Sequence, residues 1–562
     1  MKLYKIILFF VVGISTVSAQ SVNTPLNSDY QHLVERYEIL QGGNYDAYHN
    51  VIKPFTRKGV ADLADSMRTD SLRLSKVDKF NIDYLQSDNW EWSALNKGDS
   101  KKPLLKKFYR KENAFYSVDI EDFNLQVNPV LYLGLGQDNS ANGTPYINSR
   151  GIELRGMISK KLGFYTFLTD NQMRSPGYVQ QRVLATKAVP NEGFWKTYGS
   201  TSEYDFFHTR GYISFDPIKN INLQFGHDKF FVGNGYRSLV LSDQSAPYLF
   251  LKLNTKVWRI NYTNIFAQMK ANVIGNNTGL FGGTPFPNKY FAFHHLNVNI
   301  TKNLSIGAFE SIVFGERDTI SNNAFDVNYL NPIIFYRSIE QHSGSPDNAF
   351  VGLDFRWILF KSFSLYGQFL LDEFLAKELK AGNGWWGNKF AAQGGFKYIN
   401  VAGIKNLDIQ GELNIARPFT YAHDDNFTNY SHYNQPLAHP LGANFREFVG
   451  IIRYQPISRL FVVLKGIYAE KGEDSSEKNF GGNIFRDYTK DRNEYGNSIS
   501  QGIPNNIIYG DLTLSYMLKH NFWLDLKQTF RINDTDLPGN IKNTSYTFAS
   551  LRWNIASRNY EF

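Results

Sequence analysis

Three stretches gather side chains able to hold a ligand. Gly226 to Tyr248 (GHDKFFVGNGYRSLVLSDQSAPY) sets a Gly233-Asn234-Gly235 turn beside Tyr236, Arg237, Asp243 and Tyr248. Such residues suit left-handed turn positions. No strand–turn–helix frame or Lys-Ser/Thr pair follows, so it is neither a Walker loop nor a dinucleotide fingerprint. It reads either as a folded-in loop offering Tyr and Arg to a ligand, or as an apolar segment, Ser238 to Leu241, packed on a wall. Asn328 to Gly352 holds Arg337 and Glu340, three apart and able to pair across a helical turn, which describes a structured loop better than a site. Arg417 to Gly442 (RPFTYAHDDNFTNYSHYNQPLAHPLG) contains His423, Asp424, Asp425, His432 and His439. Their spacing matches neither a zincin helix nor an EF-hand loop, so no metal site is assigned.

The same third stretch alternates Tyr421, Phe427, Tyr430 and Tyr433 with amides and carboxylates, and Trp385-Trp386 stands in a neighbouring loop. Aromatic faces stack on sugar rings while Asn, Asp, His and Arg bond the hydroxyls. The candidate glycan-binding residues are therefore Tyr236, Arg237, Asp243, Trp385, Trp386, Tyr421, His423, Asp424, His432 and Tyr433. The competing reading is packing between loops. No GxSxG elbow occurs and cysteine is absent, so nothing points to an enzyme or to a cofactor.

The elements around these stretches are mostly strands. Met1 to Ala19 has a basic start, an apolar run from Ile6 to Ile14 and Val17-Ser18-Ala19 before Gln20, the pattern of a cleaved secretory leader. No later run has the apolar length of a spanning helix. A chain of 562 residues that leaves the inner membrane can still span an outer one as strands. Aromatics at 16%, with 34 Tyr and 45 Phe, suit the interfacial girdles of such a barrel. Its polar lumen and loops account for a mean hydropathy of −0.37. The net charge of +8, of which Lys2 and Lys5 leave with the leader, is dispersed; no basic cluster suits a nucleic acid.

Residues 20–111 read as a small helical periplasmic module and linker. Ser28 or Asp29 caps a helix over Tyr30 to Leu40 that Gly42-Gly43 stops, and Val60 to Met67 and Ser71 to Phe80 follow. Lys101 to Lys111 is a basic linker, Ala114 to Asn124 an extra strand, and 112–562 the barrel. From Leu125 the period is two. Leu407, Ile409, Leu413 and Ile415 alternate with Asp408, Gln410, Glu412 and Asn414, and Ile508 to Leu518 and Phe522 to Phe530 repeat the pattern. Charged residues mid-strand, such as Asp408, Glu412, Asp511, Asp525 and Lys527, call for water on that face.

Short connections, among them Lys160-Lys161, Asn254-Thr255 and Lys519-His520, alternate with long ones such as Asn171–Glu203, Gly226–Pro247 and Arg417–Leu441. That gives nine long loops and eight short turns, hence an all-β transmembrane barrel of about eighteen antiparallel strands with both ends periplasmic. So wide a lumen needs inserted segments to fill it. The closing strand carries Ala549, Leu551, Trp553 and Ile555 on its lipid face and Ser550, Arg552 and Asn554 inside. Tyr560 and Phe562 have the opposite parity, which requires a bulge near Ala556–Arg558 or an end that leaves the sheet.

GHDKFFVGNGYRSLVLSDQSAPY, YLNPIIFYRSIEQHSGSPDN and RPFTYAHDDNFTNYSHYNQPLAHPLGANFREF resemble blocks of the RemB-like gliding-motility proteins of Bacteroidota, themselves similar to the Wzi capsule-assembly family. The resemblance runs from about Leu125 onward. It implies an eighteen-stranded outer-membrane barrel with a helical periplasmic module, surface polysaccharide and gliding-motility or envelope proteins as partners besides lipid, and no enzymatic activity. A diffusion channel or uptake pore is the alternative function.

Overall fold

A computed structural model describes residues 21–562 apart from 70–73, 272–285, 316–325, 333–346 and 425–426. The leader, the Arg337–Glu340 pair and Asp425 lie outside the described residues. The alternating segments close into an antiparallel barrel of eighteen strands. In order these are β1 (Phe123–Asp138), β2 (Tyr146–Ile158), β3 (Leu162–Arg174), β4 (Ser200–Ile218), β5 (Ile221–Asp228) and β6 (Tyr248–Val257). Next come β7 (Ile260–Lys270), β8 (Asn288–Asn299), β9 (Leu304–Phe314), β10 (Asn348–Leu359), β11 (Phe363–Glu373) and β12 (Lys389–Tyr398). The last are β13 (Leu407–Ala416), β14 (Phe445–Ile457), β15 (Leu460–Glu473), β16 (Ile503–Lys519), β17 (Phe522–Thr535) and β18 (Asn543–Trp553). Each strand pairs with the next, and β18 closes on β1 from Tyr546↔Asp138 to Trp553↔Leu131. Below that seam a short strand, Tyr116–Ile120, continues along β1 as a hairpin.

The period of two sorts the side chains as expected. On β16, Ile508, Leu512, Tyr516 and Leu518 are exposed outward while Tyr509, Asp511, Ser515 and Met517 are buried inward. Phe207, Leu353, Phe448, Leu524 and Phe530 extend the outward apolar face around the barrel. A continuous apolar face of that size is a lipid face. Trp258, 76% exposed, and Phe360, 88% exposed, sit in short turns, where aromatic girdles meet the membrane interface. No described helix is long and apolar enough to cross a membrane.

Four readings need correction. Asn254-Thr255 is not a turn. β6 continues to Val257, Asn254 pairs with Thr263, and the reversal falls at Trp258-Arg259, because Asn254 and Lys256 are lumen-side polar residues rather than loop residues. The first helix, α1 (Ser28–Gln41), is capped by Asn27, whose side-chain carbonyl accepts from the Asp29 amide at 2.9 Å; Gly42, at φ 88°, ends it. Of the other two helices, α2 (Arg57–Thr69) covers the expected stretch, and α3 (Lys76–Asp88) starts later than expected because Ser75 and Asp78 form its capping box. At the closing strand, Ala549, Leu551 and Trp553 do face outward and Arg552 inward, but Asn554 (φ 54°) reverses the chain. Ile555 then packs against the core inside the barrel, and Tyr560 and Phe562 leave the sheet with it.

A single charge on the lipid face should be costly. Leu512→Arg, near the middle of β16, is expected to destabilise the barrel by about 2–4 kcal/mol, read as a lower denaturant midpoint in lipid vesicles. The parent barrel should migrate faster unheated than boiled on a gel; identical mobility would contradict a membrane barrel.

Candidate functional site

Three segments enter the lumen. α1 packs one face, Tyr30, Leu33, Val34 and Tyr37, against α2 and α3, and turns charges to the wall. Arg36 pairs with Asp408 of β13 and, at 3.3 Å, with Asp78 of its own module. Glu38 pairs with Arg356 of β10 at 2.6 Å. Glu35 lies between Lys53, at 2.6 Å, and Lys397 of β12. Burial opposes the charge on Glu35, but Lys397, Lys53 and Arg356 hold its carboxyl well below the usual range. His32 contacts Asp408 at 3.0 Å, and burial, with Arg453, lowers its pKa to about 4. α3 adds Asn81 to Gln455 at 2.7 Å and Tyr84 stacked on His520 at 4.7 Å. All these wall residues lie near short turns, so the module plugs that end. The mid-strand charges also have protein partners on the lumen face. Asp525 pairs with Arg552, and Asp511 with Lys527 at 3.1 Å.

The second insert is the loop 229–247. Ile52–Lys53 of the module pairs antiparallel with Phe231–Val232, and Lys53 Nζ donates to the Gly233 carbonyl at 2.7 Å. Gly233 (φ 132°) abuts the Gln368 side chain, where a Cβ would lie 2.5 Å from its amide nitrogen. Leu239, Val240 and Leu241 are fully buried. The loop 417–444 covers them: Tyr421 Oη donates to the Leu239 carbonyl and Tyr430 Oη to the Val240 carbonyl, both at 2.7 Å. The third insert is the tail after Trp553. Glu561 binds Lys465 and accepts from Tyr236 Oη at 2.7 Å, and Arg531 donates to the Phe562 carbonyl at 2.9 Å. Above it, α4 (Gly177–Thr186) donates Tyr178 Oη to the Tyr560 carbonyl at 2.6 Å. The strand ends of β1 and β18 thus sit at the short-turn end, while Phe562 lies inside the lumen.

The ten candidate residues separate into three groups. Tyr236, Arg237 and Asp243 line an internal cavity bounded by α1 and the tail. There Arg237 is occupied by Glu447, at 3.0 Å, and Glu561, and burial, with Glu561, raises the Tyr236 pKa. Tyr421, His432 and Tyr433 are buried between loops. His432 Nδ1 accepts from the Lys270 amide at 2.9 Å, and burial lowers its pKa to about 3. Trp385, Trp386, His423 and Asp424 do come together at the long-loop rim. Trp386 carries Arg492 3.8 Å above its ring and Tyr488 at 5.0 Å, and the His423 ring reaches Tyr488 at 5.8 Å. Trp385 Nε1 donates to Glu494 at 2.9 Å, and Asp424, beside His423, is exposed. Tyr488 and His423 are buried beneath this patch, and the half-buried indoles, the guanidinium and the exposed carboxylates are the groups that can stack on a ring and bond its hydroxyls. Tyr488, Arg492 and Glu494 were missed from sequence, although their loop alternates aromatic and charged residues much as the chosen one does. Among the described residues no three His, Asp or Glu side chains converge as metal ligands.

No family model matches this sequence, and none of the curated proteins matches it. Solved structures do resemble it. Wzi of Escherichia coli, an outer-membrane protein involved in group 1 capsule assembly and a carbohydrate-binding β-barrel, aligns over 96% of this chain and 100% of its own, with a TM-score of 0.56 and 13% identity. At that identity the likeness is one of fold: this is the architecture of an outer-membrane barrel. OprD of Pseudomonas aeruginosa aligns over 80% of this chain and 98% of its own at a TM-score of 0.42 and 9% identity. OccK8 (OprE) of the same organism covers 76% and 97% at 0.41 and 10%.

Arg36→Ala leaves Asp408 buried without its guanidinium and should weaken module docking by about 3–5 kcal/mol, read as protease release of the module from a barrel that keeps its heat-dependent mobility. Acid should act in the same direction. An undocked His32 takes its proton near 6.5 and the docked one near 4, so the undocked state binds more protons between those values. Protection factors of the α1 amides, corrected for the pH dependence of intrinsic exchange, should therefore fall as pH falls through that window.

Proposed function

We propose that this chain is a non-catalytic outer-membrane protein whose long-loop face attaches or recognises surface polysaccharide, in support of gliding motility or capsule organisation. The observation that carries the reading is the division of the barrel. The module, the inward loop and the tail occupy the lumen, and at the long-loop rim the half-buried Trp385, Trp386 and Arg492, with the exposed Asp424 and Glu494, form the accessible surface for a sugar. Wzi, whose fold this chain shares, is a carbohydrate-binding barrel by its own description, which supports the same ligand class here. A diffusion channel requires a continuous path through the three inserts, and their buried ion pairs speak against one.

Trp385→Ala should lower affinity for the cell's own surface polysaccharide by about tenfold, equal to about 1.4 kcal/mol, with heat-dependent mobility unchanged. Wild-type affinity in that variant would exclude the rim. Tyr433→Ala, at a buried ring, should loosen the loops instead. In planar bilayers the full chain should show no steady large conductance; such a pore would overturn the reading in favour of transport. Deleting the gene and scoring both colony spreading and capsule retention separates the two physiological roles.

A further inference from the structure

The basic linker has a structure of its own, outside the barrel. From Lys101 to Arg110 (KKPLLKKFYR) there are five basic residues and no acidic one. Leu104 and Phe108 exchange backbone hydrogen bonds at 2.8 and 2.9 Å around the turn Leu105–Lys107. At its tip Leu105 is 76% exposed and Leu104 53%, both far from any core. Leu105 and Lys106 have φ of 50° and 60°, a region that Asn and Gly usually supply. Among the described residues, none of Lys101, Lys102, Lys106 and Lys107 enters an ion pair, whereas Lys111, just beyond the hairpin, is satisfied by Asp99 at 2.7 Å and by the Trp90 ring.

The base of this hairpin is fixed to the lipid face. The Tyr109 ring lies parallel to Trp553, the last outward residue of β18, with centroids 6.1 Å apart and an interplanar angle of 11°. Phe108 stacks on Phe115 at 4.6 Å. Phe115 leads into Tyr116–Ile120, whose Tyr116 and Ile120 are exposed beside Val127 and Phe123 of β1. The apolar belt of the barrel thus runs without a break through Trp553 and Tyr109 to the hairpin, at the short-turn end.

We propose that Lys101–Arg110 is a membrane anchor, in which Leu104 and Leu105 enter the acyl layer and the surrounding lysines bind anionic phospholipid headgroups of the leaflet at the short-turn end. Two features select lipid as the occupant: continuity with the barrel's own lipid face, and the charge of the unpaired lysines. Basic residues next to an anionic leaflet each add attraction that decays within a Debye length, and apolar side chains at the headgroup boundary add burial. The anchor would hold the module's linker flat under the barrel wall, beside the closure seam.

The chain has no cysteine, so Leu105→Cys introduces the only thiol. The full-length variant, labelled with a polarity-sensitive dye, goes into discs of phosphatidylcholine alone and discs partly replaced with phosphatidylglycerol. Lys377→Cys, on an exposed helix at the long-loop end, serves as the reference. The anchor predicts blue-shifted emission and several-fold stronger quenching by lipid-borne quenchers at 105 than at 377. It also predicts a further increase with phosphatidylglycerol that disappears when Lys101, Lys102, Lys106 and Lys107 are replaced by Gln. Equal quenching at the two sites would overturn the anchor, and quenching indifferent to phosphatidylglycerol would overturn the headgroup assignment.

Discussion

Glu35 is held by two lysines that approach from different parts of the chain: Lys53, from the strand that follows its own helix, and Lys397, from the barrel wall. The rest of the interior depends on this buried charge layer, which Arg36–Asp408 and Glu38–Arg356 extend. It fixes the module in the lumen. The docked module presents Ile52–Lys53 as an edge for Phe231–Val232, and that pairing holds the inward loop at a depth where Tyr421 and Tyr430 can cap its carbonyls. Buried ion pairs of this kind specify an arrangement more than they add net stability, because desolvation offsets most of their attraction. An apolar plug of the same volume would dock in many registers. A charged one has few.

The wall was legible in the sequence because a lipid face and a lumen face differ at every second residue, as Leu407 to Ile415 and Ile508 to Leu518 illustrate. What filled the lumen was not, for a related reason. Asp408 and Asp525 need a polar environment, and water and a paired arginine look identical from their own side of the contact. Alternation also fails where it is most needed for register. Asn254 and Lys256 are polar strand residues that resemble a turn, while the real turn carries Trp258, an aromatic that resembles a strand. The opposite parity of Tyr560 and Phe562 did show that the end of the chain could not continue as one flat strand. Parity alone did not tell a bulge from a departure.

The candidate site followed the same division. Residue type found aromatic and polar side chains in the right loops, but burial divided them into structural and accessible groups. Tyr421 and His432 spend their polar atoms on backbone groups of neighbouring segments, so their chemistry is consumed inside the fold. Trp385 and Trp386 were named from one loop, yet their partners Tyr488, Arg492 and Glu494 come from another more than a hundred residues later. Single-loop reading does not assemble such a surface.

The closure seam carries a mechanical consequence. β1 pairs with β2 along Phe123↔Ile158 to Leu135↔Tyr146, but with β18 only from Leu131 upward. The lower half of β1 would present a free edge to the membrane, and Tyr116–Ile120 occupies it as a splint, backed by Tyr109 against Trp553. Lateral tension on this line is therefore carried in part by a segment that belongs to neither closing strand. The lower part of the closure is thus governed by the segment that also tethers the plug.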